Sequence, residues 1–327
     1  MIVTLTPNPS IDRTVSIERL DPGEVHRATD SRIDPGGKGI NVARALTANG
    51  TASLAVLPSG GPEGHLLEEL LERSGTAYLA VPIAGTTRMN IAVIEPDGTT
   101  TKLNEPGPEL SAGELAATLA AVADRIASGV EWVVGCGSLP PGMPNDVYAD
   151  LVSRGHAAGA KVAIDTSGAP LTAVVPAGPD LIKPNLEELE ELVGTSLHTV
   201  GEVRDAARKL VDGGIGTVVV SLGRYGALVV GPVELAHASA HIERPVSTVG
   251  AGDSLLAGYL HAVCRGEPPE SALATGVAWG AAAVSLPGSR MPSPEDVATI
   301  SVVSTTSPDT QHRVTDSVVA PRHRDAG

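Results

Sequence analysis

The chain has 327 residues, of which 42% are hydrophobic and 19% charged, and it carries a formal net charge of −15. That composition is too apolar for intrinsic disorder and too acidic for general affinity toward nucleic acid or anionic membranes, which recruit positive surfaces. With no Phe and 2% aromatics, base-stacking platforms are excluded and the core falls to Val, Leu, Ile and Ala.

The opening IVTLT (2–6) reads as a strand with no basic and apolar leader before it, so a secretory signal is not expected. Further β-branched runs at 52–57, 131–135, 161–165, 180–183 and 217–222 each lead into a helical pattern. Such alternation predicts an α/β fold whose mainly parallel central sheet is covered on both faces. Two segments depart from it: residues 12–33 and 86–104 alternate apolar and polar positions around Asp-Pro-Gly and Pro-Asp-Gly turns, as antiparallel hairpins do. The expected organisation is an α/β core of residues 1–11, 34–85 and 105–304, a small β lid of residues 12–33 and 86–104, and a tail, 305–327, that loses its pattern after Thr305. HIERPVSTV (241–249) is expected as a strand feeding a helix that starts near Asp253. The longest nearly uncharged stretch, Ser271 to Leu286, is too short to span a bilayer. Cys136 and Cys264, far apart in sequence, offer neither a metal site nor a disulfide framework, and a reducing cytosol fits them.

No GxxxxGK[ST], complete GxGxxG, HExxH or GxSxG pattern occurs, so the glycine clusters need another explanation. In STVGAGDSLLAGYL (247–260), Gly250, Ala251 and Gly252 lead into a helix, where bare backbone amides and the helix dipole favour an anion. A carboxylate at that point would repel a phosphate merely bound there. Asp253 makes sense if it takes a proton from an attacking hydroxyl; an ordinary N-cap is the alternative. In DPGGKGINVARAL (34–46), Gly36, Gly37 and Gly39 allow close approach, Lys38 supplies a cation and Asn41 can bond hydroxyls, which suits a polyol; a solvated turn with a surface Lys is the alternative. In IKPNLEELEEL (182–192), Asn185 and Glu188 share a helix face and can organise Mg²⁺ through water, although Glu-rich helices are commonly solvated faces. Ser221, Gly223 and Gly226 can line a nucleotide groove or a plain turn, and Ser138 ends a strand at the sheet edge where α/β ligands bind. The lid segments offer Asp12 and Asn90 for sugar hydroxyls and Arg27 and Arg88 for a phosphate.

Taken together, GGKGINVARAL, CGSLPPG, IKPNLEEL, VVVSLGRYGAL and STVGAGDS resemble, in order and spacing, the ribokinase-like sugar kinases, specifically their phosphofructokinase B branch. The likeness covers about residues 1–300, and TLTPNPSIDRT, TKLNEPGPEL and LPGSRMPSPED look most like the bacterial kinases of fructose 1-phosphate. It implies a three-layer sandwich with a β lid that pairs two copies, ATP and Mg²⁺, and phosphorylation of fructose 1-phosphate at O6. Tagatose 6-phosphate and fructose 6-phosphate are the alternative acceptors. Carried over, Asp253 becomes the catalytic base and Gly250, Ala251 and Gly252 the anion hole. Asp12, Arg27, Gly37, Lys38, Asn41, Arg88, Asn90 and Ser138 become sugar-phosphate contacts. Lys183, Asn185, Ser221, Gly223 and Gly226 fall on the nucleotide side, with Asn185 and Glu188 tied to Mg²⁺ through water. Adenine contacts stay unassigned, because GVAWGAAAVSL offers Trp279 and small residues. A silent sugar-phosphate sensor is the rival from another class. A sensor has no use for a base beside an anion seat.

Overall fold

The computed structural model describes residues 1–315. In chain order the elements are β1 (Ile2–Leu5), β2 (Ser10–Ser16), β3 (Asp30–Gly36), α1 (Lys38–Ala48), β4 (Ser53–Ser59), α2 (Gly61–Arg73), β5 (Tyr78–Pro82), β6 (Arg88–Ile94) and β7 (Thr100–Asn104). There follow α3 (Ala112–Ala127), β8 (Trp132–Cys136), α4 (Val147–Ala157), β9 (Lys161–Asp165), α5 (Gly168–Val174), β10 (Leu181–Ile182), α6 (Leu186–Val193), α7 (Val200–Asp212) and β11 (Thr217–Ser221). The chain closes with β12 (Ala227–Val230), β13 (Leu235–Ala240), α8 (Ala251–Cys264), α9 (Pro269–Val284), α10 (Pro294–Ala298) and β14 (Val302–Thr305).

Ten strands form one sheet in the order β14-β13-β12-β11-β10-β9-β8-β1-β4-β5, parallel from β5 across to β11 and antiparallel from β11 to the β14 edge. Its strands are apolar on both faces because both are covered: Val133 and Val218 pack toward α3, α4 and α7, whereas Trp132 and Val219 pack toward α1, α8 and α9. Three layers result, with parallel strand ends aimed at one edge.

The lid is a second sheet of four strands, β3-β2-β6-β7. Its strands begin at Ser10 and extend to Gly36, beyond the expected bounds. Residues 17–29 connect β2 to β3 as a long irregular loop in place of a tight turn at Asp-Pro-Gly, and β2 pairs with β6 in parallel. The expected strand at 241–249 is irregular: Pro245 interrupts it, and the Val246 and Ser247 amides donate to Val284 O instead of a neighbouring strand. The tail expectation is also corrected for residues 306–315. Val314 is 3% exposed within the core, and the amides of Val200 and Gly201 donate to His312 O and Thr310 O, so this stretch caps the start of α7. The rest of the expected tail, 316–327, lies outside the described residues.

Candidate active site

The site forms where the parallel strand ends meet the first turns of α1 and α8. Gly37, the N-cap of α1, has φ 110°, and a Cβ there would sit 2.7 Å from Thr6 Cγ2, so both conformation and space demand glycine. This tight entry sets Lys38 over the sheet edge, where Nζ lies 2.7 Å from Oδ1 of Asp165, the last residue of β9, and 3.7 Å from Glu188 Oε1. Lys183, immediately after β10, places Nζ 2.9 Å from Asp165 Oδ2. Burial opposes charge on Asp165, yet Lys183 and Lys38 overcome it and hold that carboxyl below its usual range. Burial likewise works against the Lys38 cation, but Asp165, Glu188 and Asp253 outweigh it and raise its pKa. Two ammonium groups thus share one fully buried carboxylate. The surface-Lys alternative for Lys38 does not fit this pairing.

α8 starts at Ala251, earlier than expected, with Gly250 as its N-cap at φ 77°. No side chain caps it, and of its first amides that of Ala251 donates to Thr248 O at 3.4 Å, which takes that amide out of the expected anion hole. A Cβ on Gly252 would lie 3.3 Å from Lys183 Nζ, which puts that ammonium beside the amides of the same turn. Asp253 is the third helical residue and makes no capping bond, which removes the N-cap alternative. Instead Asn41 Nδ2 of α1 donates to its Oδ2 at 2.9 Å. Burial, then repulsion from Asp165, raises the Asp253 pKa to about 6, against the opposing pull of Lys38, Asn41 and Lys183. A carboxylate so poised can accept a proton near neutral pH.

On one side of this corner lies a mainly apolar groove of about 660 Å³. Ser221, Gly223 and Gly226 line it as expected, together with Ala251 and Gly252. Sequence reasoning missed its far wall, Val277, Gly280, Ala281 and Val284 of α9, although their helical spacing of small and β-branched residues is the available signal. Trp279 turns the other way, 3% exposed in the core with its ring 5.1 Å from that of His261.

On the other side a cavity of about 180 Å³ separates the lid from Val249 and Ser289. Asp12 and Asn90, side by side on β2 and β6, line it; Asp12 Oδ1 accepts from Ser10 Oγ at 2.7 Å and from Asn90 Nδ2 at 3.0 Å. A Cβ on Gly36 would collide with the Asp12 carboxylate, so the bare backbone there makes its room. Lys102, in register with Ala92 on the Asp12 and Asn90 face, is the cation facing this cavity and was not singled out from sequence, whereas Arg13, next to Asp12 on β2, takes the opposite face of the lid. The two expected arginines are not brought to it. Arg88 donates instead to Glu105 O and Asn8 O, each at 3.0 Å, and Arg27 is exposed in the loop 17–29. Ser138 is exposed just past β8, next to Gly137, whose own amide donates to Asp165 O at 2.8 Å.

Asn185 and Glu188 form a capping box at the start of α6, each side chain accepting from the other's amide at 2.8 Å. That leaves Glu188 Oε1 facing Lys38 and takes Asn185 Oδ1 out of play. Both Asp165 oxygens face lysines, and among the described residues no group of three or more His, Cys, Asp or Glu could hold a metal. The donor set therefore fits Mg²⁺ held through water at Glu188, and does not fit a direct protein cage.

The sequence model of the pfkB family carbohydrate kinases matches residues 5–296. A 1-phosphofructokinase of Rhodobacter capsulatus is 35% identical over 302 residues, 91% of this chain and 95% of the relative. An ATP-dependent 6-phosphofructokinase isozyme 2 of Mycobacterium tuberculosis is 38% identical over 304 residues, 90% and 87% of the two chains. Phosphofructokinase-2 of Escherichia coli, solved with substrates and products, superposes with a TM-score of 0.85 at 33% identity, covering 91% of this chain and 97% of that one. Ribokinase of Thermotoga maritima shares the fold at a TM-score of 0.73 and 24% identity, over 91% and 98% of the two chains.

Proposed function

The chain belongs to the pfkB family of carbohydrate kinases, and from that premise we propose that it phosphorylates fructose 1-phosphate at O6 with ATP, giving fructose 1,6-bisphosphate. The observation that carries this reading is Asp253, a buried carboxylate of raised pKa in the turn whose Val249 lines the polar cavity and whose Ala251 and Gly252 line the apolar groove.

In this reading the acceptor hydroxyl lies between Asp253 and the first turn of α8, and Asp253 takes its proton as it attacks. The Gly252 and Asp253 amides, Lys183 and Lys38 surround the oxygens on which charge develops. Mg²⁺, when bound, would add charge neutralisation at the phosphates, held through water by Glu188. Asp12 and Asn90 orient the sugar hydroxyls, and Lys102, across from them on the lid, receives the phosphate the sugar already bears. The lid also shields the corner from water. Its other face, with Val15, Val93 and Leu103, is the proposed contact between two copies.

Fructose 1-phosphate is favoured by the 1-phosphofructokinases among the relatives, and the M. tuberculosis relative makes fructose 6-phosphate the second candidate. ADP release with fructose 1-phosphate, fructose 6-phosphate and tagatose 6-phosphate ranks them. The highest kcat/KM is expected for fructose 1-phosphate, and Lys102→Ala should raise its KM about tenfold, as loss of one charge-assisted bond does. A clear preference for either other sugar overturns the substrate assignment.

A further inference from the structure

We propose that Arg44 is a positioning residue for this reaction: by donating to the Asn41 side-chain oxygen it decides which end of that amide meets Asp253. Arg44 lies on α1, one turn beyond Asn41, and is 9% exposed. Its Nη1 donates to Pro35 O at 3.1 Å, to Ser289 O at 3.1 Å and to Asn41 Oδ1 at 3.3 Å. One guanidinium thus joins the foot of lid strand β3, the loop after α9 and the amide beside the base. Burial lowers its pKa to about 10, with Asp34 opposing that shift, so it remains a cation at neutral pH.

A guanidinium has five donors and no acceptor. An amide within bonding distance of it must present oxygen, and the Asn41 NH₂ is then left to face Asp253 Oδ2 at 2.9 Å. A donor at that position favours the ionised carboxyl, the form that can accept a proton. With the amide reversed, oxygen would meet oxygen, and only a protonated Asp253 could bond it. The other charged or titratable groups facing Asp253 are Asp165 on β9, Lys38 on α1, Lys183 after β10 and Cys136 on β8. Arg44 itself faces Asp34, Arg32 and Asp12. Its route to Asp253 runs through Asn41.

This inference rests on Asp253 as the proton acceptor, but its test does not require turnover. The Asp253 carboxyl is titrated by ¹³C NMR in the intact protein, with its signal assigned from Asp253→Asn. Arg44→Met should raise its pKa by about half a unit or more, the scale of one hydrogen bond to the charged form. In an Asn41→Leu background the same substitution should add no further shift. Arg44→Leu, likewise without a donor, reads the same change should Arg44→Met fail to fold. The acidic limb of kcat should move upward in step, with KM for ATP unchanged. An unmoved Asp253 pKa in Arg44→Met and Arg44→Leu, or an equal shift without Asn41, overturns the proposal. Absence of ADP release with any sugar phosphate would instead overturn the proposed function and leave the titration to decide the role of Arg44.

Discussion

Asp253 combines two opposed requirements in one side chain. Its folded pKa of about 6 stands above the ordinary 3.8, so between those values the folded state binds a proton that the unfolded chain has released. Asp253 therefore weakens the fold above pH 6, and the penalty fades as pH falls toward 4. Asp253→Asn should raise stability at pH 8 by up to about 3 kcal/mol from the shift alone, read as a higher Tm, with the gain disappearing near pH 4. The same variant should lose turnover by about 10² or more while still binding sugar phosphate and ATP, which calorimetry can check. A variant that turns over normally would remove Asp253 from the chemistry. Asp253 was readable from sequence because the glycine turn marks where an anion can approach. Asp165 was not: a single carboxylate ending KVAID carries no local signal, and its role depends on Lys38, 127 residues away.

Among the elements, α6 separates a structural part from a chemical one. Its Asn185 and Glu188 look like a metal pair in sequence and behave as a helix cap in the fold. Asn185→Ala should cost about 1 kcal/mol of stability, read by thermal denaturation, with little change in the Mg²⁺ concentration for half-maximal rate. Glu188→Gln keeps a capping side chain and removes the charge, so it should raise that concentration several-fold. Equal Mg²⁺ effects in the two variants would contradict the division. The parallel strands other than β5 were legible as β-branched runs before helical patterns, and the lid as alternation, whereas YLAVP of β5 has a single β-branched residue and leads into the lid instead of a helix. β12 and β13 were not, because ALVV and LAHASA follow a glycine turn without a helix between them and leave the βα rhythm that marks the others. The arginines failed for a related reason: alternation fixes which face Arg88 takes but not that two backbone carbonyls will claim it.

At the scale of the whole molecule, the lid presents a polar face to the cleft and an apolar one outward, where Leu103 is 59% exposed. If two copies meet there, Leu103→Asp should shift sedimentation from dimer to monomer, and a wild-type protein that sediments as a monomer at micromolar concentration would refute the pairing. The cleft itself draws on distant parts of one chain, since Asn41 and Asp253 are 212 residues apart and bond across the space between α1 and α8. Contacts of such separation close late, after the intervening loop entropy has been overcome. On the ribosome, α1 emerges well before the turn that carries Asp253, so a nascent chain holds Asn41 with no carboxylate yet for it to bond. Connectivity alone thus delays completion of this corner until α8 has been made.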